Sequence, residues 1–184
     1  MNKNEKGALG ALIKLQGFKT YLIYTAIILF TVGFDQLTKY LATKYLTRVA
    51  TVPIIEGVLH LTYLENRGAA FGMLANHRWV FMVISSLTIV GLGLYLYLFG
   101  APSKLYGVSI AMIIGGGIGN MIDRTAFGYV VDFIDFRLID FAIFNGADSS
   151  VCVGAGLLVL AMLLDIRREA NEKREGKGNG GDTP

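Results

Sequence analysis

Four aspartates stand in one unusually apolar stretch of the chain, YVVDFIDFRLIDFAIFNGADSS at residues 129–150. A carboxylate is costly to hold beside apolar side chains, so each of these groups calls for an explanation. Two carboxylates that converge can have their pKa values pushed apart, so that one activates water while the other donates a proton. Asp132 and Asp148 lie where the two ends of the connection meet apolar segments. Such a pair of carboxylates is compatible with an aspartic hydrolase, which is one of several possibilities.

The other two aspartates, Asp135 and Asp140, fall inside the connection between this pair. We expect a solvated loop there, because water can reach a connection of this kind. The connection is long enough to fold back and bring its two ends together at the mouth of a helical bundle. Its phenylalanines would either cover the site as a lid or anchor the loop at a membrane interface; they are Phe133, Phe136, Phe141 and Phe144.

Other catalytic classes lack the residues that they require. Cys152 is the only cysteine and the chain has two histidines, which excludes an internal disulfide and a Cys-based metal cluster and disfavours a His-built metal site. Neither a zinc HExxH motif nor a serine nucleophile elbow is present. Ser149 and Ser150 have no adjacent histidine, and Lys39 is the only plausible lysine base, so a serine–lysine peptidase is disfavoured. We expect no metal and no cofactor.

The composition points to a membrane protein. Of 184 residues, 53% are hydrophobic and only 17% are charged, which is too apolar for a soluble domain of this length. Four segments are long and apolar enough to cross about 30 Å of hydrocarbon as helices. The sequence therefore predicts an all-α integral membrane fold with four transmembrane helices, at residues 21–41, 79–99, 105–122 and 145–164.

Lysine and arginine set the expected orientation. Ten of the 17 basic residues lie in the two tails and in the short turn between the second and third spans. By the positive-inside tendency both termini are then cytoplasmic, and residues 42–78 and 123–147 face outward. The expected organisation is a cytoplasmic N-terminal tail, one four-span domain and a polar, disordered cytoplasmic tail, at residues 1–20, 21–165 and 166–184.

A small β element is expected on the outer side. The segment from Val58 to Leu64 is rich in β-branched and aromatic residues that partly alternate with others, as in a strand. The dipeptide Glu56-Gly57 before it is typical of a turn.

Ionisable and amide side chains recur near the outer ends of the spans. Asp35 and Lys39 are four residues apart, so they share a helix face and can pair. The third span ends GGGIGNMIDR, which places Asn120 and Asp123 on one face and lets the following Arg124 pair with Asp123 or another aspartate. An ion-pair network that fixes helix packing explains these residues at least as well as a catalytic role does.

Five motifs occur in the order and with the spacing of one known family: DQLTK (35–39), NRGAAFG (66–72), GNMIDR (119–124), GYVVDFIDF (128–136) and FNGAD (144–148). Together they resemble lipoprotein signal peptidase, also called signal peptidase II, over roughly residues 20–165. Gly146 stands where that family usually has an apolar residue, which loosens the start of the helix without altering the chemistry.

The resemblance implies an aspartic endopeptidase of the bacterial inner membrane whose site lies near the extracytoplasmic face. Its substrates are prolipoproteins that carry a diacylglyceryl group on a cysteine, and it cuts just before that cysteine. Prolipoproteins and membrane lipids are then the partners; we expect a monomer that binds no nucleic acid. The resemblance implies Asp132 and Asp148 as the catalytic pair, and as supporting or substrate-binding residues Asp35, Lys39, Asn66, Arg67, Gly68, Asn120, Asp123, Arg124 and Asn145.

A small proton-coupled transporter is the alternative from another functional class. Asp35, Lys39 and Asp148 would then form a proton relay through the membrane. Two features count against it, because the polar residues cluster at one end of the spans and no inverted repeat is evident. Electrical or pH-gradient assays in vesicles would separate transport from hydrolysis.

Overall fold

The computed structural model describes residues 3–68 and 78–178 of the chain. Part of the predicted NRGAAFG motif, residues 69–72, lies outside these described residues. The described residues form four long helices: α1 (Lys3–Leu46), α2 (Arg78–Leu94), α3 (Lys104–Ala126) and α4 (Gly146–Gly178). One turn of π-helix, Tyr95–Phe99, continues α2.

All four helices contain a segment long and apolar enough to cross a membrane, which confirms the four predicted spans. α3 is the most buried of them, and the others leave most of their surface exposed, as lipid-facing helices do. In the core, Ile110, Ala111 and Ile114 of α3 pack against Tyr24 of α1 and Leu96 of the π-helical turn. The spanning segments are Gly17–Leu46, Met82–Phe99, Lys104–Ala126 and Gly146–Glu172.

Glycines let α3 pack closely against α4. A Cβ atom on Gly116 would overlap the backbone carbonyl oxygen of Ala147, and one on Gly154 would lie 2.8 Å from the carbonyl oxygen of Ser109. Both contacts are too close for a real side chain, so the two helices can approach each other this closely only with glycine at these positions. The close packing brings the start of α4 against the C-terminal half of α3.

A three-stranded antiparallel sheet lies beside the C-terminal end of α1, in the order β1-β2-β3. Its strands are β1 (Thr51–Ile55), β2 (Leu59–Asn66) and β3 (Val130–Phe136). The predicted strand corresponds to β2. The sheet buries Val131 against Ala42 and Leu46 of α1, with Leu61 and Tyr63 packed around them.

The strand β3 corrects the expectation of a solvated loop around Asp135. Residues 130–136 pair with β2, and His60 lies opposite Asp135 in the register. Only 8% of Asp135 is exposed. Asp140 does lie in an exposed turn after a short 3₁₀ helix, Arg137–Ile139. The chain then returns to the sheet, because Phe144 forms a bridge with Ile134 just before α4 begins.

The polar C-terminal segment differs from the expected disorder after residue 165, since α4 continues as a helix to Gly178. The sequence there is rich in residues that favour helix, and Arg168 pairs with Glu172 one turn further along at 3.0 Å. Local interactions of this kind favour a helix in a polar segment.

Candidate active site

A capping box opens α4 and holds Asp148. The Asn145 side-chain oxygen accepts a hydrogen bond from the Asp148 backbone N–H at 2.9 Å. In return, the Asp148 carboxylate accepts one from the Asn145 backbone N–H at 3.3 Å. This reciprocal pair satisfies two backbone donors at the helix start, where the helix dipole also favours a negative charge. The spacing Asn-x-x-Asp in FNGAD is a sequence signal for this cap, although the cap was not among the features predicted from the motifs.

Asp132 lies on β3 and only 1% of it is exposed. Its two carboxylate oxygens accept hydrogen bonds from the side-chain amides of Asn66 at 2.8 Å and Asn145 at 2.7 Å. The orientation of the Asn66 amide is fixed because its oxygen accepts a hydrogen bond from the Gly68 backbone N–H at 3.0 Å. The turn at 66–68 thus aims an amide donor at Asp132.

Two asparagines join the two aspartates. The Asn145 side-chain amide donates to Asp132 and also to the Asn120 oxygen, at 3.1 Å. The Asn120 amide in turn donates to Asp148 at 2.7 Å. Asn145 and Asn120 are buried, so each bond in this chain is sheltered from water. The structure therefore brings Asp132 and Asp148 into one hydrogen-bonded network.

Lys39 lies behind this network, and 3% of it is exposed. Its ammonium pairs with Asp35 at 2.8 Å, as the spacing on α1 predicts, and with Asp123 at 3.0 Å. It also donates to the Asn120 oxygen at 2.9 Å. Gln36, which was not among the predicted site residues, donates to Asp123 at 2.9 Å and to Asp35 at 3.3 Å.

The two arginines of the motifs occupy different places. Arg124, in the last turn of α3, interacts electrostatically with Asp148, Asp132 and Asp123, so its charge acts on both members of the pair. Arg67 is exposed, pairs with Glu65 at 2.8 Å and lies over the ring of Tyr129. The contacts described for Arg67 therefore lie at the rim of the site.

Burial raises the pKa of Asp132 to about 6. The hydrogen bonds from Asn66 and Asn145 and the charge of Lys39 act in the opposite direction, whereas the negative charge of Asp148 adds to the rise. A carboxyl group with such a pKa can hold a proton under mildly acidic to near-neutral conditions.

Asp135 serves the sheet instead of this site. Burial disfavours its ionised form, but the hydrogen bond from Thr62 and the interaction with Arg137 outweigh that effect and lower the pKa of Asp135. The Thr62 hydroxyl donates to it at 2.7 Å and the Arg137 guanidinium pairs with it at 3.0 Å. Asp135 is thus a structural ion-pair partner that links β2 to the end of β3.

The phenylalanines of the connection pack mainly on one another. Phe136 stacks on Phe144, and Phe141 meets Phe144 edge to face. Phe133 lines a groove against α1 together with Thr38, Leu41 and Tyr45. Among the described residues, no group of three or more His, Cys, Asp or Glu side chains is arranged to hold a metal ion.

An apolar cavity of about 510 Å³ lies between α2 and the C-terminal half of α3. Its lining is almost wholly aliphatic and includes Ile89, Val90, Ile118, Met121, Ile122 and Ala126. A groove of this composition suits a hydrophobic segment or an acyl chain.

Comparisons with known proteins agree with the motifs. The chain matches the family model described as signal peptidase (SPase) II over residues 27–164. It is 51% identical over 138 residues to the lipoprotein signal peptidase of Caldanaerobacter subterraneus subsp. tengcongensis, covering 74% of this chain and 93% of that protein. It is 40% identical over 154 residues to the lipoprotein signal peptidase of Bacillus subtilis (strain 168), covering 83% of this chain and 100% of that protein.

A solved structure shares the fold. It is a bacterial membrane enzyme determined by the in meso method at 2.3 Å resolution, and it aligns with a TM-score of 0.71 at 34% identity. The alignment covers 78% of this chain and 89% of that one.

Proposed function

Because the chain belongs to the signal peptidase II family, and is thereby a membrane-bound peptidase that removes signal peptides from prolipoproteins, we propose that it works as an aspartic endopeptidase. Its substrates in this proposal carry a diacylglyceryl group on a cysteine, and it cuts the peptide bond just before that cysteine. The reaction needs no metal ion, nucleotide or covalent intermediate.

One observation carries the proposal: Asp132 and Asp148 share a single amide network but lie in different environments. Asp132 is buried on a strand with a pKa of about 6, whereas Asp148 is half-buried in the first turn of α4. The N-terminus of α4, the Asn120 amide donor and the nearby charge of Arg124 lie around the Asp148 carboxylate. These differences suit one proton donor and one base.

We assign the roles accordingly. Asp148, ionised, takes a proton from water as the water oxygen attacks the scissile carbonyl carbon. Asp132, protonated, gives its proton to the carbonyl oxygen, which becomes a hydroxyl group on the tetrahedral intermediate. When the C–N bond breaks, the proton held by Asp148 passes to the leaving amine. The proton of the collapsing hydroxyl returns to Asp132, so the pair ends as it began.

The position of the pair suits a substrate that is anchored in lipid. A scissile bond next to a diacylglyceryl cysteine lies at headgroup level, and both aspartates lie where the outer ends of the spans meet the sheet. The apolar cavity between α2 and α3 can accept the hydrophobic signal helix or an acyl chain from the bilayer side. Water would enter from the opposite, extracytoplasmic side. In this proposal the protein is an inner-membrane monomer with both termini in the cytoplasm.

The test is a cleavage assay with the purified protein in detergent and a diacylglyceryl-modified prolipoprotein, read on a gel. Asp132→Asn and Asp148→Asn should each lower the rate by about 10²- to 10⁴-fold, because each removes a proton donor or acceptor. Asp140→Asn is the matched control, since Asp140 is exposed and its left-handed backbone, with φ of 49°, tolerates asparagine.

Cleavage that survives either substitution would remove that aspartate from the mechanism. A wild-type protein that is folded, does not cleave and moves protons across vesicles would support the transporter alternative instead.

A further inference from the structure

Lys39 contacts neither member of the proposed catalytic pair, but it does contact Asn120, which is hydrogen-bonded to both Asp148 and Asn145. Its ammonium is buried and pairs with Asp35 and Asp123, which come from α1 and α3. Neither of these carboxylates is more than 1% exposed. A buried carboxylate is unfavourable without a cation beside it, so the lysine stabilises both side chains in these positions.

Each of these carboxylates holds one particular backbone N–H. Asp35 accepts a hydrogen bond from the N–H of Ala147 at 2.7 Å. Asp123 accepts one from the N–H of Val131 at 3.1 Å. Ala147 directly precedes Asp148, and Val131 directly precedes Asp132. The two carboxylates therefore fix the main chain one residue before each member of the pair.

The third contact of the ammonium sets a side-chain orientation. Lys39 donates to the Asn120 oxygen, which also accepts from Asn145. With its oxygen occupied by two donors, the Asn120 amide must present its NH₂ group to Asp148. Rotating the amide by a half-turn would place NH₂ against an ammonium and an oxygen against a carboxylate.

We propose that Lys39 is a positioning residue: through Asp35, Asp123 and Asn120, one buried charge sets the main chain at both aspartates and the amide between them. This inference rests on the proposed function, because it concerns the same pair. The residue does not touch the substrate and exchanges no proton with it. Its role is to keep α1, α3, β3 and the start of α4 in one arrangement.

The test compares Lys39→Met with the double variant Lys39→Met/Asp123→Asn. The single variant removes the lysine with which the two buried carboxylates, Asp35 and Asp123, are paired. The double variant restores the net charge of the cluster, and the amide oxygen that the second substitution introduces can still accept from the Val131 N–H. Lys44→Met is the matched control, because Lys44 is an exposed lysine on the same helix that lies over two tyrosine rings.

Two measurements are made on each full-length variant in detergent. One is kcat and KM for a diacylglyceryl-modified prolipoprotein. The other is hydrogen–deuterium exchange of the segments around Val131 and Ala147, which reports on the two backbone hydrogen bonds whether or not the protein cleaves anything.

We expect Lys39→Met to lower kcat by about 10²-fold with KM unchanged, since a small misplacement of reacting groups has an effect of this size. Both segments should exchange faster, and the double variant should recover most of the protection and of kcat. If Lys39→Met does not fold, the double variant carries the same comparison against the wild type.

Unchanged exchange in both segments for Lys39→Met would overturn the proposal. So would a double variant that regains protection but not kcat, because the lysine would then act chemically instead of through position. Failure of the proposed function would look different: the wild type would show the protected segments and no cleavage.

Discussion

At the scale of single residues, environment separates four aspartates of identical chemistry. Asp132 is buried on a strand among amide donors, and Asp148 caps a helix. Asp135 is neutralised by a neighbouring arginine, and Asp140 faces solvent in a turn. Burial without a cation raises a carboxyl pKa, whereas an ion pair lowers it. A raised pKa is typical of a carboxyl group that holds a proton, and a lowered pKa is typical of a carboxylate in a structural ion pair.

The pKa of Asp132 predicts the pH dependence of cleavage. Its protonated form is the proposed acid, so kcat/KM should fall as the pH rises above about 6, by about tenfold per pH unit. The Asn66 amide stabilises the ionised form and so lowers this pKa. Asn66→Ala should therefore move the falling limb to higher pH. Initial rates of prolipoprotein cleavage across a pH series check both expectations.

Asp140→Asn serves as the reference in that series, and its falling limb should coincide with that of the wild type. A limb that stays in place in Asn66→Ala, or that moves to lower pH, would show that the group seen in the profile is not Asp132.

At the scale of elements, the site is assembled from pieces that are far apart in the sequence. α1 supplies the lysine and a carboxylate, and α3 supplies an amide, a carboxylate and an arginine. β3 and α4 each carry one aspartate of the proposed catalytic pair. The small residues of α3 make this convergence possible, because they let α4 approach without intervening side chains.

Gly119 shows how tight this approach is. A Cβ atom there would lie 2.5 Å from the Asp35 carboxylate oxygen, so Gly119→Ala must displace the group that holds the start of α4. We expect a loss of about 1–3 kcal/mol in stability and a strong loss of cleavage. Thermal unfolding in detergent and the gel assay measure the two effects.

Gly93→Ala is the matched control, because Gly93 lies within α2 and a Cβ there has nothing within 4 Å. Its unfolding temperature and activity should stay close to those of the wild type. Equal behaviour of the two alanine variants would contradict the close packing around Asp35.

At the scale of the whole molecule, the buried ionisable side chains of the described residues lie in one layer. Three of the four spans expose large apolar side chains over most of their length. The buried ionisable groups gather at one end of the spans and continue into the sheet, whose strands include Asp132 and Asp135. A site confined to one membrane boundary suits a hydrolase that draws water from one side. A transport path would need polar groups across the full thickness.

The orientation of this layer is predicted from the charge bias of the tails. In a Cys152→Ser background, Arg48→Cys just after α1 should react with a membrane-impermeant maleimide in spheroplasts. Glu172→Cys, at the C-terminal end of the spanning segment of α4, should react only after the membrane is permeabilised. The expectation follows from the positive-inside tendency. The reverse labelling pattern would place the active site on the cytoplasmic side.

Features that depend on local pattern could be predicted from the sequence. Hydropathy marked the four spans, because a run of apolar residues long enough to cross a bilayer is a property of consecutive positions. The i,i+4 spacing of Asp35 and Lys39 predicted their ion pair. Five short motifs in register identified the family. The capping box of α4 is also a local pattern, because Asn145 and Asp148 are three residues apart in the sequence.

The long-range partners of the site residues are visible only in the tertiary structure. Nothing near Lys39 in the sequence indicates that it also pairs with Asp123, or that Asp123 holds the N–H of Val131. The sequence predicts a loop at Asp135 because the pairing partner of its strand, β2, lies some seventy residues earlier in the chain. Such pairings arise from packing between elements, which residue spacing does not encode. These pairings give Asp132 and Asp148, the proposed acid and base, surroundings that differ from those of Asp135 and Asp140.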